Sequence, residues 1–188
     1  GEGAVEAIVA ERNENGKFLD VFDLTKRIDL RSANKKCLEN LALSGAFDCF
    51  GGVYRSQYFY KENEDDSVFL DKAIRFGNKF QSNKHSDQIS MFSMDPLEVK
   101  NPDIPVCEPW SKLEMVLKEK EITGMYLSGH PLDEYKIDIK NFCGANISDL
   151  NNNINGFKGR DLAIAGIVTS AKHGTTKTGK AFGTFVSR

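Results

Sequence analysis

Residues 34–52, NKKCLENLALSGAFDCFGG, constrain the fold more than any other stretch of the chain. Cys37, Leu38, Leu41 and Ala42 recur at helical spacing while Lys35, Lys36, Glu39 and Asn40 lie off that stripe, so one face buries and the other meets water. Ser44-Gly45 stops the helix, and the chain turns sharply through Ala46-Phe47-Asp48. Two readings of this turn stay open. A glycine just past a helix takes a left-handed backbone and bares N–H groups that no side chain shields, which suits a phosphate. The same residues also describe an ordinary helix stop inside a small helical core.

A second glycine turn opens the chain. Gly1-Glu2-Gly3 leads into AVEAIVAER, whose apolar spacing predicts a helix, and free N–H groups at a helix start again favour an anion. Asn15-Gly16 marks a turn, and residues 18–28 read as a helix capped near Asp20 with Val21, Phe22, Leu24 and Ile28 inward. A third helix is expected at 53–60, and Ser67 is placed to cap a further one over 68–80. Residues 81–105 lack periodicity and carry two prolines, which predicts a loop or linker. Residues 110–127 read as helical, with Trp110, Leu113, Val116 or Leu117 and the Lys120 stem on one side, stopped by Ser128-Gly129-His130-Pro131. From Asp161 the pattern turns to β: LAIAGIVTSA and AFGTFVSR alternate around a polar turn, predicting an antiparallel hairpin.

With 40% hydrophobic residues in 188, the chain can bury a core as one domain or two small ones. A formal net charge of -2 excludes a uniformly basic surface, so any nucleic-acid contact is a local patch. The cysteines Cys37, Cys49, Cys107 and Cys143 form no C-x-x-C pair, no zinc spacing occurs, and they read as reduced, mostly packed thiols. No apolar run approaches a membrane span, and GEGAV carries neither a basic leader nor an initiator Met, so the chain reads as a piece of a longer cytoplasmic protein. Motifs for metalloprotease, serine-hydrolase and phosphate-loop chemistry are absent; Lys177-Thr178-Gly179-Lys180 lacks the glycine spacing and following helix of a phosphate loop.

Binding elements remain. Arg12, Lys17, Arg31, Lys35, Lys36 and Arg55 lie near the glycine turns in sequence and could add charge, or form solvated helix faces. Gln88-Ile89-Ser90-Met91-Phe92 either tucks Met91 and Phe92 into the core or presents a linear motif to a partner's apolar pocket, with Gln88 hydrogen-bonding.

In their order, LALSGAFDCFGGVYR, QISMF, EKEITGMYLSGHPLDEY and DLAIAGIVTSAKHGTTKTGKAFG resemble the C-terminal part of the alpha subunits of bacterial DNA polymerase III, the C-family replicative polymerases. The resemblance covers essentially the whole chain. It implies a mainly α fold: a tandem helix-hairpin-helix DNA-binding domain over 1–80, a linker with an extended clamp-binding peptide over 81–109, a helical connector over 110–158, and a β-hairpin from an incomplete OB fold over 159–188. It implies duplex contacts through backbone amides at Gly1, Gly3 and Ala4 in a truncated first hairpin and at Ser44, Gly45 and Ala46 in the second, supported by Arg31, Lys35, Lys36 and Arg55. Lys172, Lys177 and Lys180 would lie in the first OB loop and face single-stranded template. Gln88, Ile89, Ser90, Met91 and Phe92 would bind the sliding clamp. The polymerase's catalytic carboxylates are expected upstream, so the stretch carries no catalytic residue, metal or cofactor of its own, with Mg expected in the parent enzyme. Other replicase subunits would bind elsewhere, and no membrane contact is implied. The alternative expectation is a helix-hairpin-helix adaptor of a DNA repair protein, without clamp binding.

Overall fold

Short helices dominate because apolar residues recur at helical spacing and are interrupted often by capping residues and glycines. The structure, a computed structural model, describes residues 2–87 and 100–187. It divides into two compact units, Gly1–Leu127 and Ser128–Arg188. The first holds α1 (Glu2–Asn15), α2 (Val21–Arg27), α3 (Lys35–Leu43), α4 (Arg55–Tyr58), α5 (Phe69–Asp87) and α6 (Lys112–Thr123). The second holds α7 (Lys136–Phe142), α8 (Ile147–Asn152), two short 3₁₀ turns, and an antiparallel hairpin of β1 (Val168–Thr175) and β2 (Ala181–Ser187). Among the described residues, no helix is long and apolar enough to cross a membrane.

Local chemistry starts the helices where the sequence indicates. Asp20 accepts from the Asp23 amide at 2.7 Å and caps α2, and Asn34 accepts from the Cys37 amide at 3.0 Å and caps α3. Packing then selects the faces. Phe22 of α2 meets Phe69 and Phe76 of α5 edge-on, at 5.8 and 5.5 Å between ring centres. Burial of each such ring stabilises the unit by roughly 1.5–3 kcal/mol. α2 and α5 approach closely because Gly77 has no side chain: a Cβ there would lie 2.5 Å from the Thr25 carbonyl oxygen. Farther along α5, Gln81 donates from Nε2 to the carbonyls of Thr25 and Ile28, at 2.9 Å each, satisfying the end of α2.

Several expectations shift in this unit. α5 runs on to Asp87, so the region expected to be linker from residue 81 begins as helix. α6 ends at Thr123 rather than running on to Leu127, capped by Gly124 at φ +80, and it buries Val116 and Glu119 while Leu113 and Leu117 stay about half exposed. Periodicity alone favours leucines for the inner face; a carboxylate goes inside only when a partner waits there. α6 also packs within the first unit, against α3, rather than in a connector with residues 128–158.

The strap leading into α6 is held to α4. Gln57 donates to the Pro105 carbonyl, Cys107 Sγ donates to Ser56 Oγ at 3.6 Å, and Trp110 stacks on Phe59 at 5.6 Å. In the second unit, β1 begins at Val168, later than the apolar run predicts, and pairs in register Lys172↔Thr184 and Thr175↔Ala181. Phe182 lies over Gly174, where a Cβ would come 2.8 Å from the ring.

Candidate nucleic-acid interface

The turn after α3 is built from its carbonyls outward. Ser44, Gly45 and Ala46 donate their amides to the carbonyls of Asn40, Ala42 and Leu41, at 2.9, 3.2 and 2.9 Å. The last two bonds, with Gly45 at φ +86, form the paired cap that closes helices on a left-handed glycine. The expectation that these three amides cradle a phosphate is therefore corrected: carbonyls left bare by the helix end already take them up. Asp48 and Phe50 donate onward to Gly45 and Phe47. The amides of Phe47, Cys49, Gly51 and Gly52 have no acceptor among the described residues, and Gly51 and Gly52 are exposed. If this turn meets phosphate through its backbone, these are the groups it offers. The GG pair carried that signal in the sequence.

Gly45 has a second task. The Arg55 guanidinium lies against its Cα, in the space a Cβ would occupy. Arg55 is only 7% exposed and donates through Nε and Nη2 to Asp48, at 2.8 and 2.6 Å, and through Nη1 to Glu119 Oε1 at 2.7 Å. Glu119 is fully buried, and its Oε2 accepts from the Leu127 amide at 3.0 Å. The Asp48 hydrogen bonds, outweighing burial, raise the Arg55 pKa above its ordinary value. Arg55 is thus not a phosphate ligand; its fork of donors is spent inside the unit.

The other expected cations are not gathered at this turn. Lys35 pairs with Asp71 at 2.8 Å, and that hydrogen bond raises its pKa. Lys36 lies 3.6 Å from Glu39, and Arg31 is exposed, with its own backbone amide held by Asp29. All three stand before or at the first turn of α3, whose nine residues span about 13 Å between them and Ser44.

At the first glycine turn, Gly3 is exposed and Ala4 is buried in the first turn of α1, where helical amides lack internal partners; Gly1 lies outside the described residues. Arg27 fastens the other end of α1: it donates to Glu11 at 2.9 Å and Asp23 at 3.0 Å and stacks over Phe18 at 4.4 Å. In the hairpin, Lys177 and Lys180 flank the turn, closed by Thr176 donating to the Lys180 carbonyl at 2.8 Å. Lys172 sits within β1 opposite Thr184, not in the loop as expected. All three lysines are exposed. Gln88, Ile89, Ser90, Met91 and Phe92 lie outside the described residues. His130 accepts through Nδ1 from the Leu132 amide at 3.2 Å.

The helix-hairpin-helix motif family matches residues 1–58, the segment holding α1 to α4 and the turn after α3. The chain is similar to the DNA polymerase III subunit alpha of Haemophilus influenzae, 31% identical over 188 residues, and of Vibrio cholerae, 33% identical over 186. The match covers 97% of this chain in both cases. The Deinococcus radiodurans subunit is 30% identical over 191 residues and 99% of this chain. The chain spans about 15% of the length of these relatives. Colinear similarity over nearly every residue, with a helix-hairpin-helix match over residues 1–58, means that the chain belongs, over the segment it spans, to the family of DNA polymerase III alpha subunits.

Proposed function

We propose that this segment holds duplex DNA behind the active site of a bacterial replicative polymerase and tethers that enzyme to its sliding clamp. The observation that supports it most is the helix-hairpin-helix unit of α1–α4, lying within a stretch that matches polymerase subunits over 97% of the chain. Nucleotidyl transfer belongs, in this reading, to the parent DNA-directed DNA polymerase in the cytoplasm. Its Mg would be held elsewhere in the parent enzyme, and in this reading the segment's own residues bind and orient.

The duplex contact is sequence-independent and runs through phosphates, from amides at the start of α1, from the turn after α3, and from Lys172, Lys177 and Lys180 toward a single-stranded template. The clamp contact is the peptide Gln88, Ile89, Ser90, Met91 and Phe92, and processivity follows from linkage, since a weak tether keeps the polymerase concentrated at the primer end. Fluorescence anisotropy with primed duplex tests the first part. Binding should be insensitive to sequence and weaken steeply with salt; no binding at low salt would refute it. Calorimetry with the clamp tests the second, where a Met91→Ala, Phe92→Ala double variant with unchanged affinity would refute the peptide's role.

A further inference from the structure

We infer that Arg55 and Glu119 are positioning residues for the turn at 44–52, so that docking of α6 sets the shape of the proposed duplex contact. The link to DNA rests on the duplex-holding reading above. The observations are independent of one another. Arg55 fills the space beside Gly45 that any other residue's Cβ would take, and its Nε and Nη2 grip Asp48 on the far side of the same turn. A planar fork thus spans the turn from Gly45 to Asp48, which a lysine could not reproduce. Its third donor reaches Glu119, 64 residues away in sequence and wholly buried on α6.

Glu119 is pinned in turn. Thr123 donates to its backbone carbonyl at 2.8 Å, and its second carboxylate oxygen takes the Leu127 amide. A buried carboxylate whose oxygens are each aimed at a fixed donor is a rigid anchor, and losing its cation would leave an uncompensated charge. Asp48 is half exposed, so water can solvate it if Arg55 leaves. The turn is therefore held from the α6 side, not from its own surface.

The test compares two variants with the wild-type chain. Glu119→Ala removes the anchor and destabilises the unit. The double substitution Arg55→Met, Glu119→Met replaces the buried pair with apolar side chains of similar reach, which generally preserves folding. Amide hydrogen exchange is read at Gly45, Ala46 and Asp48, with α2 as the internal reference, and primed-duplex affinity is read by anisotropy. In the folded double variant the turn amides should exchange about tenfold faster while α2 is unchanged, and duplex affinity should fall about tenfold. Unchanged exchange at the turn would overturn the inference. Faster exchange with undiminished duplex binding would overturn the link to DNA while leaving the duplex-holding reading intact. A wild-type chain that binds no duplex would sink that reading instead, and the exchange result would still decide whether Arg55 and Glu119 position the turn.

Discussion

Two turns of this molecule look alike in sequence and are held by different forces. The turn after α3 and the turn between β1 and β2 each place a glycine in the left-handed region, at φ +86 for Gly45 and φ +81 for Gly179, with cations nearby. Around Gly45 stand Phe47, Phe50 and Tyr58 of the core and a buried guanidinium. Around Gly179 every residue from Lys177 to Lys180 is exposed, and a Cβ would meet open space. The units differ in the same way: among the described residues, every buried one lies at or before Glu119, and none after Leu127 is buried. Six- and seven-residue helices and two strands offer little apolar area to set against chain entropy. A glycine signal therefore marks where a chain turns, while burial decides how firmly the turn is kept.

The comparison is open to attack, and the largest effect belongs to Arg55. Arg55→Ala removes the cation that faces the buried Glu119 carboxylate and should cost about 3–5 kcal/mol of first-unit stability. Trp110, the chain's single tryptophan, stacks on Phe59 in that unit, so urea unfolding followed by its fluorescence measures the loss. A loss under about 1 kcal/mol, the range of surface pairs, would mean the pair is not buried in solution. Next come the two glycines. Gly45→Ala meets both backbone strain and the Arg55 guanidinium, for about 2–4 kcal/mol, whereas Gly179→Ala meets strain alone and should leave the tryptophan transition unmoved. Equal effects of the two on that transition would break the contrast.

Tyr58→Phe is expected to be smaller and of opposite sign. The Tyr58 hydroxyl is buried without a hydrogen-bond partner among the described residues, and burial raises its pKa, so removing the oxygen should leave stability unchanged or raise it by up to about 1 kcal/mol. A clear loss of stability would show that the hydroxyl is satisfied in solution. The smallest effect is at the start of α6, where the Ser111 amide and hydroxyl hold the Glu114 carboxylate and lower its pKa. A depressed carboxylate pKa contributes stability above the unfolded value, about 4.3, and loses it as the pH falls through the folded value. Exchange of the first α6 amides should therefore rise on acidification below about pH 4, with the amides at 44–46 lagging behind.

Much of the architecture was legible because its causes are local. Asp20, Asn34 and Gly45 act within a turn of their own positions, so α2, α3 and the stop after α3 follow from side-chain oxygens, apolar spacing and one residue without a Cβ. The β-hairpin was legible for the same reason, though its first strand starts late because the apolar run before Val168 finds no partner strand among the described residues. The candidate site was read less well. Sequence proximity suggested that Lys35, Lys36 and Arg55 assist the turn, but helix rise carries the lysines to the opposite end of α3 and burial withdraws Arg55.

The chain's own order of residues determined where it would turn, at Gly45 and at Lys177–Lys180. Only the tertiary structure decided what the turn at Gly45 does with its atoms. Its amides close the helix they follow, and its missing side chain makes room for an arginine whose second anchor lies on α6. The reason is physical. Backbone conformation responds to neighbours a few bonds away, whereas a buried charge is placed by whichever opposite charge the fold brings within hydrogen-bonding distance, and here that charge is Glu119, 64 residues on.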